Sequence, residues 1–427
     1  MAPSANFLES AATSASDRSG TTPSWRLWTV LAPIVICALL WILAVSRQGT
    51  FTERADGKGF AVDVAMFVTA AQLTGEGRDP YDQNTLYRAE RAWLDRQDLA
   101  INRHGAMVRV GYPPVFFWAF EPLARLPFQV LAYEWRLAMY LLAGLGVFAC
   151  LRYLGWRRRL APCLIFLLMP PVILGTGNTG NLILAAFGCS LALARRHPAA
   201  AGALLSLAWV KPPVALPIVL LIVLFHAPAR KPMVAGFATA TASLLGLTLV
   251  TTGWRSLAFW VTGLLSYSHD ITIQHEMPSI SGLYVMWAPP ALRLTLMACQ
   301  LGGAAALTAV WWWRRRNQTK VAAISVAWLW FVWFLASPYV HFGDEVLLAV
   351  PLLALLGREA DRITHRLPVF ALYMVFFSPL LIIWTPHNLQ LLGLMLAPAG
   401  IAAYLAARSP RYRLESAADG PGTASTA

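Results

Sequence analysis

Asp63-Val-Ala-Met-Phe-Val-Thr-Ala-Ala71, then Gly77-Arg-Asp79-Pro80-Tyr81-Asp82, then Gly111-Tyr112-Pro113-Pro114: these three runs lie in one polar, acid-bearing segment, Ser46 to Trp135, of an otherwise oily chain. Pro122-Leu-Ala-Arg-Leu-Pro127 and Trp135 close the segment. On its N-terminal side Leu27 to Val45 is uncharged and long enough to cross roughly 30 Å of hydrocarbon. On its C-terminal side a second apolar run begins near residue 131. A polar stretch held between two such runs implies a membrane protein whose chemistry sits at the bilayer surface.

Composition agrees. Of 427 residues 57% are hydrophobic and only 13% charged, where a soluble globule carries about 25% charged residues. The formal charge of +13 is not gathered in one patch. It falls at Arg157-Arg158-Arg159, Arg195-Arg196, Arg230-Lys231, Arg314-Arg315-Arg316 and Arg408 to Arg413, each at the end of an apolar run. Such ends are cytoplasmic by the positive-inside rule, and a nucleic-acid partner is not expected. Cys37, Cys150, Cys163, Cys189 and Cys299 lie in or beside apolar runs, with no disulfide or zinc spacing. Ala44-Val-Ser46 resembles a signal-peptidase site only weakly, and the run before it is longer than a usual signal core.

Placing every basic cluster inside gives about twelve spans and cytoplasmic termini: 27–45, 131–151, 160–175, 181–194, a shallow hairpin of 199–210 and 213–227, then 233–252, 289–313, 321–336, 344–357, 367–385 and 389–407. The fold class is therefore all-α, polytopic. Residues 1–24 and 408–427 are expected to be disordered cytoplasmic tails flanking a membrane domain over 25–407. Two extracytoplasmic loops are expected, at 46–130 and 253–288. Within the first, Tyr81 to Ala100 carries Leu86, Trp93, Leu94 and Leu99 at loosely helical spacing, and Val115 to Leu126 is bracketed by prolines. Both read as helices lying on the membrane surface.

Several residues could carry chemistry, and each also has a structural reading. Asp63 could take a proton from an acceptor hydroxyl or cap the helix that follows, Val64 to Leu73. Asp79-Pro80-Tyr81-Asp82 is a turn signal, though Asp79 and Tyr81 could touch substrate. Tyr112 could line a sugar pocket or serve as scaffold before Pro113-Pro114. Lys211, at the tip of the hairpin, must meet an anion or reach water. Asn178 and Asn181 sit in a Gly/Asn turn and are candidate sugar or phosphate contacts. His341 could donate to a phosphate oxygen. His269, with Asp270, His275 and Glu276, lies in the second loop; the spacing is not that of a zinc pair, and a headgroup or acceptor surface is the preferred reading. No cofactor is implied and the metal requirement stays open. No nucleotide-binding fingerprint appears.

The order Asp-x-x-x-Phe-x-x-Ala-Ala, Gly-x-Asp-Pro-Tyr-Asp, Tyr-Pro-Pro, Pro-Leu-x-x-Leu-Pro and Trp resembles the polytopic glycosyltransferases of family 87, which belong to the GT-C type. Lys211-Pro212 and Ser337-Pro338-Tyr339-Val340-His341 match two further elements of that family. The chain departs from it where His341 is followed by Phe342 instead of a second histidine, and where the Gly177 to Asn181 turn lacks a glutamine. The resemblance implies an inverting hexosyltransferase that takes a sugar, mannose foremost, from a polyprenyl phosphate. The acceptor would be a glycan or glycolipid on the outer face of the cytoplasmic membrane, with Asp63 as base and His341 and Lys211 near the phosphate. A transporter or flippase of lipid-linked sugars is the alternative; it would need charged groups buried in its spans, where the sequence offers little beyond Arg293 and Gln300. No internal repeat of transporter type is visible.

Overall fold

The computed structural model describes residues 62–96, 110–154, 178–226, 229–267, 279–315, 323–340 and 342–356. Among these the chain is helical, without strands: α1 Val62–Gly75, α2 Gln83–Arg96, α3 Pro114–Phe120, α4 Phe128–Tyr153, α5 Gly180–Leu193, α6 Pro198–Leu205, α7 Pro212–Phe225, α8 Arg230–Thr251, α9 Gly253–Tyr267, α10 Ile280–Trp287, α11 Pro290–Arg315, α12 Ala323–Ala336 and α13 Ala349–Leu356. Three helices are long and apolar enough to cross a membrane, at Val130–Tyr153, Arg230–Thr251 and Pro290–Arg314. Shorter apolar helices cover Gly180–Leu193, Pro198–Val210 and Pro212–Phe225. The spans expected at 27–45, 160–175, 367–385 and 389–407, and both tails, lie outside the described residues.

Two segments show local structure that the apolar runs did not indicate. The segment 253–288 is largely helix where described, as α9 and α10. The span expected at 344–357 begins with a tight 3-10 stretch, Phe342–Leu348, before α13. This stretch carries two acids, Asp344 and Glu345, both fully buried.

Glycines set the helix packing. A Cβ on Gly188 would collide with the Gly146 carbonyl, and one on Gly146 would stand 2.7 Å from the Leu184 carbonyl; the backbones of α4 and α5 therefore touch. In the same way a Cβ on Gly202 would strike the Met233 carbonyl, and one on Gly236 the Ala199 carbonyl, at the α6–α8 crossing. Small residues permit this close approach, which in lipid replaces hydrophobic driving force with dispersion contact. Arg195 acts electrostatically on Tyr153, seven residues beyond Gly188 and Gly146 respectively, so α4 and α5 run parallel. Trp209 donates to Thr241 Oγ1 at 3.0 Å, which extends the Gly202–Gly236 pairing in the same sense and makes α6 and α8 parallel too.

The result is a bundle with two unlike ends. At one, Tyr153 Oη and His226 Nε2 are 3.0 Å apart, Arg230 donates to the Leu224 carbonyl at 2.7 Å, and its guanidinium lies 5.8 Å from the centre of the Trp312 ring. Arg195, Arg230 and Arg314 thus share an end. Residues 198–210 leave that end and α7 returns to it, as the hairpin reading requires. Lys211 sits at the opposite end.

The described residues 62–96 and 110–127 pack as a small aromatic body. Phe67 of α1 meets Tyr112, Phe116, Phe120 and Trp135 edge-on, with ring centres 4.9, 5.1, 5.5 and 5.8 Å away. Edge-to-face contacts of this kind add about 0.5–1.5 kcal/mol each beyond burial. As the spacing predicts, α2 buries Leu86, Trp93 and Leu94; Leu99 falls outside the described residues. From the other side Trp260 of α9 donates to the Gly111 carbonyl at 3.0 Å.

Candidate functional site

Asp63 occupies the first turn of α1, half-buried, where the helix dipole favours its negative charge. Its surroundings are read through two neighbours. Burial, with the Asp63 charge second, pushes the Glu90 carboxyl up to about 7. Burial also holds the Tyr112 phenol well above its ordinary value; the Asp63 and Asp344 carboxylates act in the same sense. Tyr112 therefore feels two acids from distant parts of the chain and remains a neutral hydroxyl. Thr179 Oγ1 donates to that hydroxyl at 3.4 Å, which ties the aromatic body to the N-terminus of α5.

One residue before Thr179, Asn178 Oδ1 accepts from the Gly180 N–H at 2.7 Å and from Lys211 Nζ at 2.9 Å. Lys211 Nζ also donates to Asp344 Oδ1 at 2.6 Å. The pair is enclosed: the Lys211 side chain is 13% exposed and that of Asp344 0%. Glycine makes room for it. A Cβ on Gly343 would lie 2.6 Å from Asn178 Nδ2, and one on Gly180 would lie 2.9 Å from the Gly343 carbonyl. Lys211 thus meets a carboxylate of its own chain, a partner that the sequence reading did not name. Ser337 Oγ donates to the Pro213 carbonyl at 3.3 Å, bringing the Ser-Pro and Lys-Pro elements together.

Other expected residues have structural partners. Asp79 Oδ1 accepts the Tyr81 N–H at 2.8 Å, closing the turn as an Asx motif, and burial raises its carboxyl. Tyr81 Oη donates to the Tyr112 carbonyl at 2.8 Å, and its ring abuts Gly263 of α9. Asn181 is buried in the first turn of α5. His341 and His269 lie outside the described residues, as do Asp270, His275 and Glu276. Among the described residues no group of three or more His, Cys, Asp or Glu side chains could hold a metal ion.

Three acids escaped the sequence reading. Glu90 lies four residues after Leu86, three before Trp93 and four before Leu94, so helical spacing alone sets it in the buried stripe of α2. Asp344 and Glu345 stand at the start of an apolar run, where a charge is expensive unless it has a partner. Neither was counted beside Arg293 and Gln300 among the polar groups of the apolar runs. Of those two, Arg293 donates to the Ala288 carbonyl at 3.1 Å, and Gln300 donates to Ser281 Oγ at 2.7 Å and the Ala336 carbonyl at 2.8 Å.

At one end of a helical bundle, then, a helix-borne carboxylate, a buried phenol and a lysine–carboxylate pair converge, a set able to accept a proton and to meet a negative oxygen. In a comparison with known families, the model described as glycosyltransferase family 87 matches residues 111–338, just over half of the 427 residues. No curated protein and no solved structure matches the chain. The matched stretch holds Tyr112, Asn178, Asn181, Lys211 and Ser337, while Asp63 precedes it and Asp344 follows it. Motifs, helical architecture and family match agree, and the chain belongs to glycosyltransferase family 87.

Proposed function

We propose that this glycosyltransferase is a membrane enzyme that moves a hexose, mannose first, from a polyprenyl phosphate to a hydroxyl of a glycan or glycolipid. The reaction takes place on the outer face of the cytoplasmic membrane. The acceptor oxygen attacks the anomeric carbon from the side opposite the phosphate and gives its proton to Asp63. The bond from the anomeric carbon to the phosphate oxygen breaks with inversion, and the lipid phosphate leaves with the bonding pair. Lys211, and His341 as the resemblance implies, meet the charge that grows on that oxygen. No metal is invoked in these steps.

The observation that carries this reading is that the helix bearing Asp63 packs on Tyr112, which Thr179 and Asn178 link to the Lys211–Asp344 pair, at the end of the bundle away from Arg195, Arg230 and Arg314. By the positive-inside rule the basic end is cytoplasmic, which puts the acids outside, beside a lipid-linked donor. The test uses purified protein with polyprenyl-phosphate mannose and a membrane glycolipid extract as acceptor. Wild type should transfer sugar, and Asp63→Asn should lose about 10²–10⁴-fold in rate, the range a positioned general base supplies. Equal rates would refute the role of Asp63.

One observation favours the alternative, a transporter or flippase: a buried lysine–carboxylate pair is the kind of group that marks substrate pathways in membranes. The same variant decides. A flippase with Asp63→Asn would go on moving lipid across vesicles, and its wild type would transfer no sugar.

A further inference from the structure

Asp344 has no place in the chemistry above, yet it is the most enclosed charged residue near it. Its carboxylate receives the Lys211 ammonium at 2.6 Å. Ser337, seven residues before it, also meets the Lys-Pro step, donating to the Pro213 carbonyl at 3.3 Å. A buried ion pair is weak evidence for stability, since well-packed apolar residues usually serve as well or better. Here the pair stands close enough to Tyr112 for Asp344 and Asp63 to act on the same phenol. An ammonium has three N–H donors, and among the described residues Lys211 spends two, on Asn178 and Asp344.

We propose that Asp344, with Asn178, is the positioning residue that fixes the Lys211 ammonium so that its remaining N–H meets the anionic phosphate of the donor. This rests on the reading of Lys211 as a phosphate contact. Two acceptors hold the ammonium from behind, so the long side chain loses its rotamer freedom before the lipid arrives, and the pair keeps the site close to neutral while it is empty. The phosphate then meets a desolvated, oriented donor, and no side chain need be ordered during binding. The tight contacts of Gly180 and Gly343 around Asn178 keep this acceptor in register with Asp344.

The test measures steady-state kinetics on the full-length protein with polyprenyl-phosphate mannose, together with thermal midpoints. The variants are Lys211→Met, Asp344→Asn, the double Lys211→Met/Asp344→Asn, and Asp344→Glu. Positioning predicts that Asp344→Asn raises the donor KM roughly tenfold or more, with the acceptor KM unchanged, and that the double variant is no worse than Lys211→Met alone. Asp344→Glu keeps the charge but lengthens the arm by one methylene. It should raise the donor KM at an unaltered midpoint, whereas a plain structural counterion would leave KM at the wild-type value. If Asp344→Asn alone does not fold, Asp344→Glu and the double variant, which removes both charges, still decide. A donor KM unchanged in Asp344→Glu, or losses in the double variant that multiply as for independent sites, overturns the proposal. A wild type that uses no polyprenyl-phosphate mannose instead overturns the function on which it rests.

Discussion

Burial, and after it the Asp63 charge, makes an ionised Glu90 costly, and this gives the first residue-scale prediction. In the unfolded chain Glu90 titrates near its ordinary value of 4.5, and in the folded protein near 7. The folded state therefore holds the proton more tightly, and the contribution to stability is fully present below about pH 4.5 and lost as pH rises through about 7. Glu90→Gln removes this titration. The midpoint difference between wild type and Glu90→Gln should move in favour of the variant as pH goes from 5 to 8; a difference independent of pH would contradict it. A second prediction concerns Gly343. Adding one methyl would press on the Asn178 amide, so Gly343→Ala should disturb the Lys211 anchor and lower donor turnover by about tenfold or more, with Tyr112 and Asp63 untouched. Asp63, Tyr112 and Lys211 were legible as residues because each stands out from its neighbours. The Lys211–Asp344 pair was not, because its partners are 133 positions apart and Asp344 reads as the first residue of an apolar run.

At the scale of elements the amphipathic pattern carried well where a helix covers an aromatic body. α2 lies where the spacing of Leu86, Trp93 and Leu94 puts it, while the helix expected over Val115 to Leu126 ends at Phe120 and continues, past Pro122, as a 3-10 turn at Leu123–Arg125. The pattern was not applied to α9, whose Leu257, Trp260 and Leu264 pack against the aromatic body at spacings of three and four, inside the stretch read as the second extracytoplasmic loop. Glycine positions in long apolar runs gave no signal either, since only the neighbouring helix decides which of them matter. That distinction can be measured. Gly188→Val sets carbon atoms into the Gly146 carbonyl, while Gly246 of α8 has nothing within 4 Å of an added Cβ. Gly188→Val should cost about 1–3 kcal/mol or more through overpacking. Gly246→Ala should be neutral or gain up to about 1 kcal/mol from helix propensity. Thermal midpoints in detergent read both, and equal effects would show that α4 and α5 do not touch as described.

On the scale of the whole molecule the two unlike ends lead to a labelling experiment. The five native cysteines are first replaced. Single cysteines then go at Glu76 and at Arg196, both exposed, the first beside the acid-bearing body and the second at the basic end. An impermeant thiol reagent added to intact cells should label Glu76→Cys and spare Arg196→Cys until the membrane is opened. The opposite pattern would reverse the orientation and remove the outer site. That the molecule has a basic end and a polar end was legible in the arginine clusters, because each closes an apolar run. Which polar residues meet at the other end was not, because convergence depends on parallel packing of α4 with α5 and of α6 with α8, and so on glycine contacts between helices.

The most direct test of the central claim is a structure of the protein with a polyprenyl phosphate bound. The phosphate should lie within hydrogen-bond reach of Lys211 Nζ, with the Asp63 carboxylate facing the position of the anomeric carbon from the other side. A phosphate seated among Arg195 and Arg230, or out of reach of both Lys211 and Asp63, would contradict it.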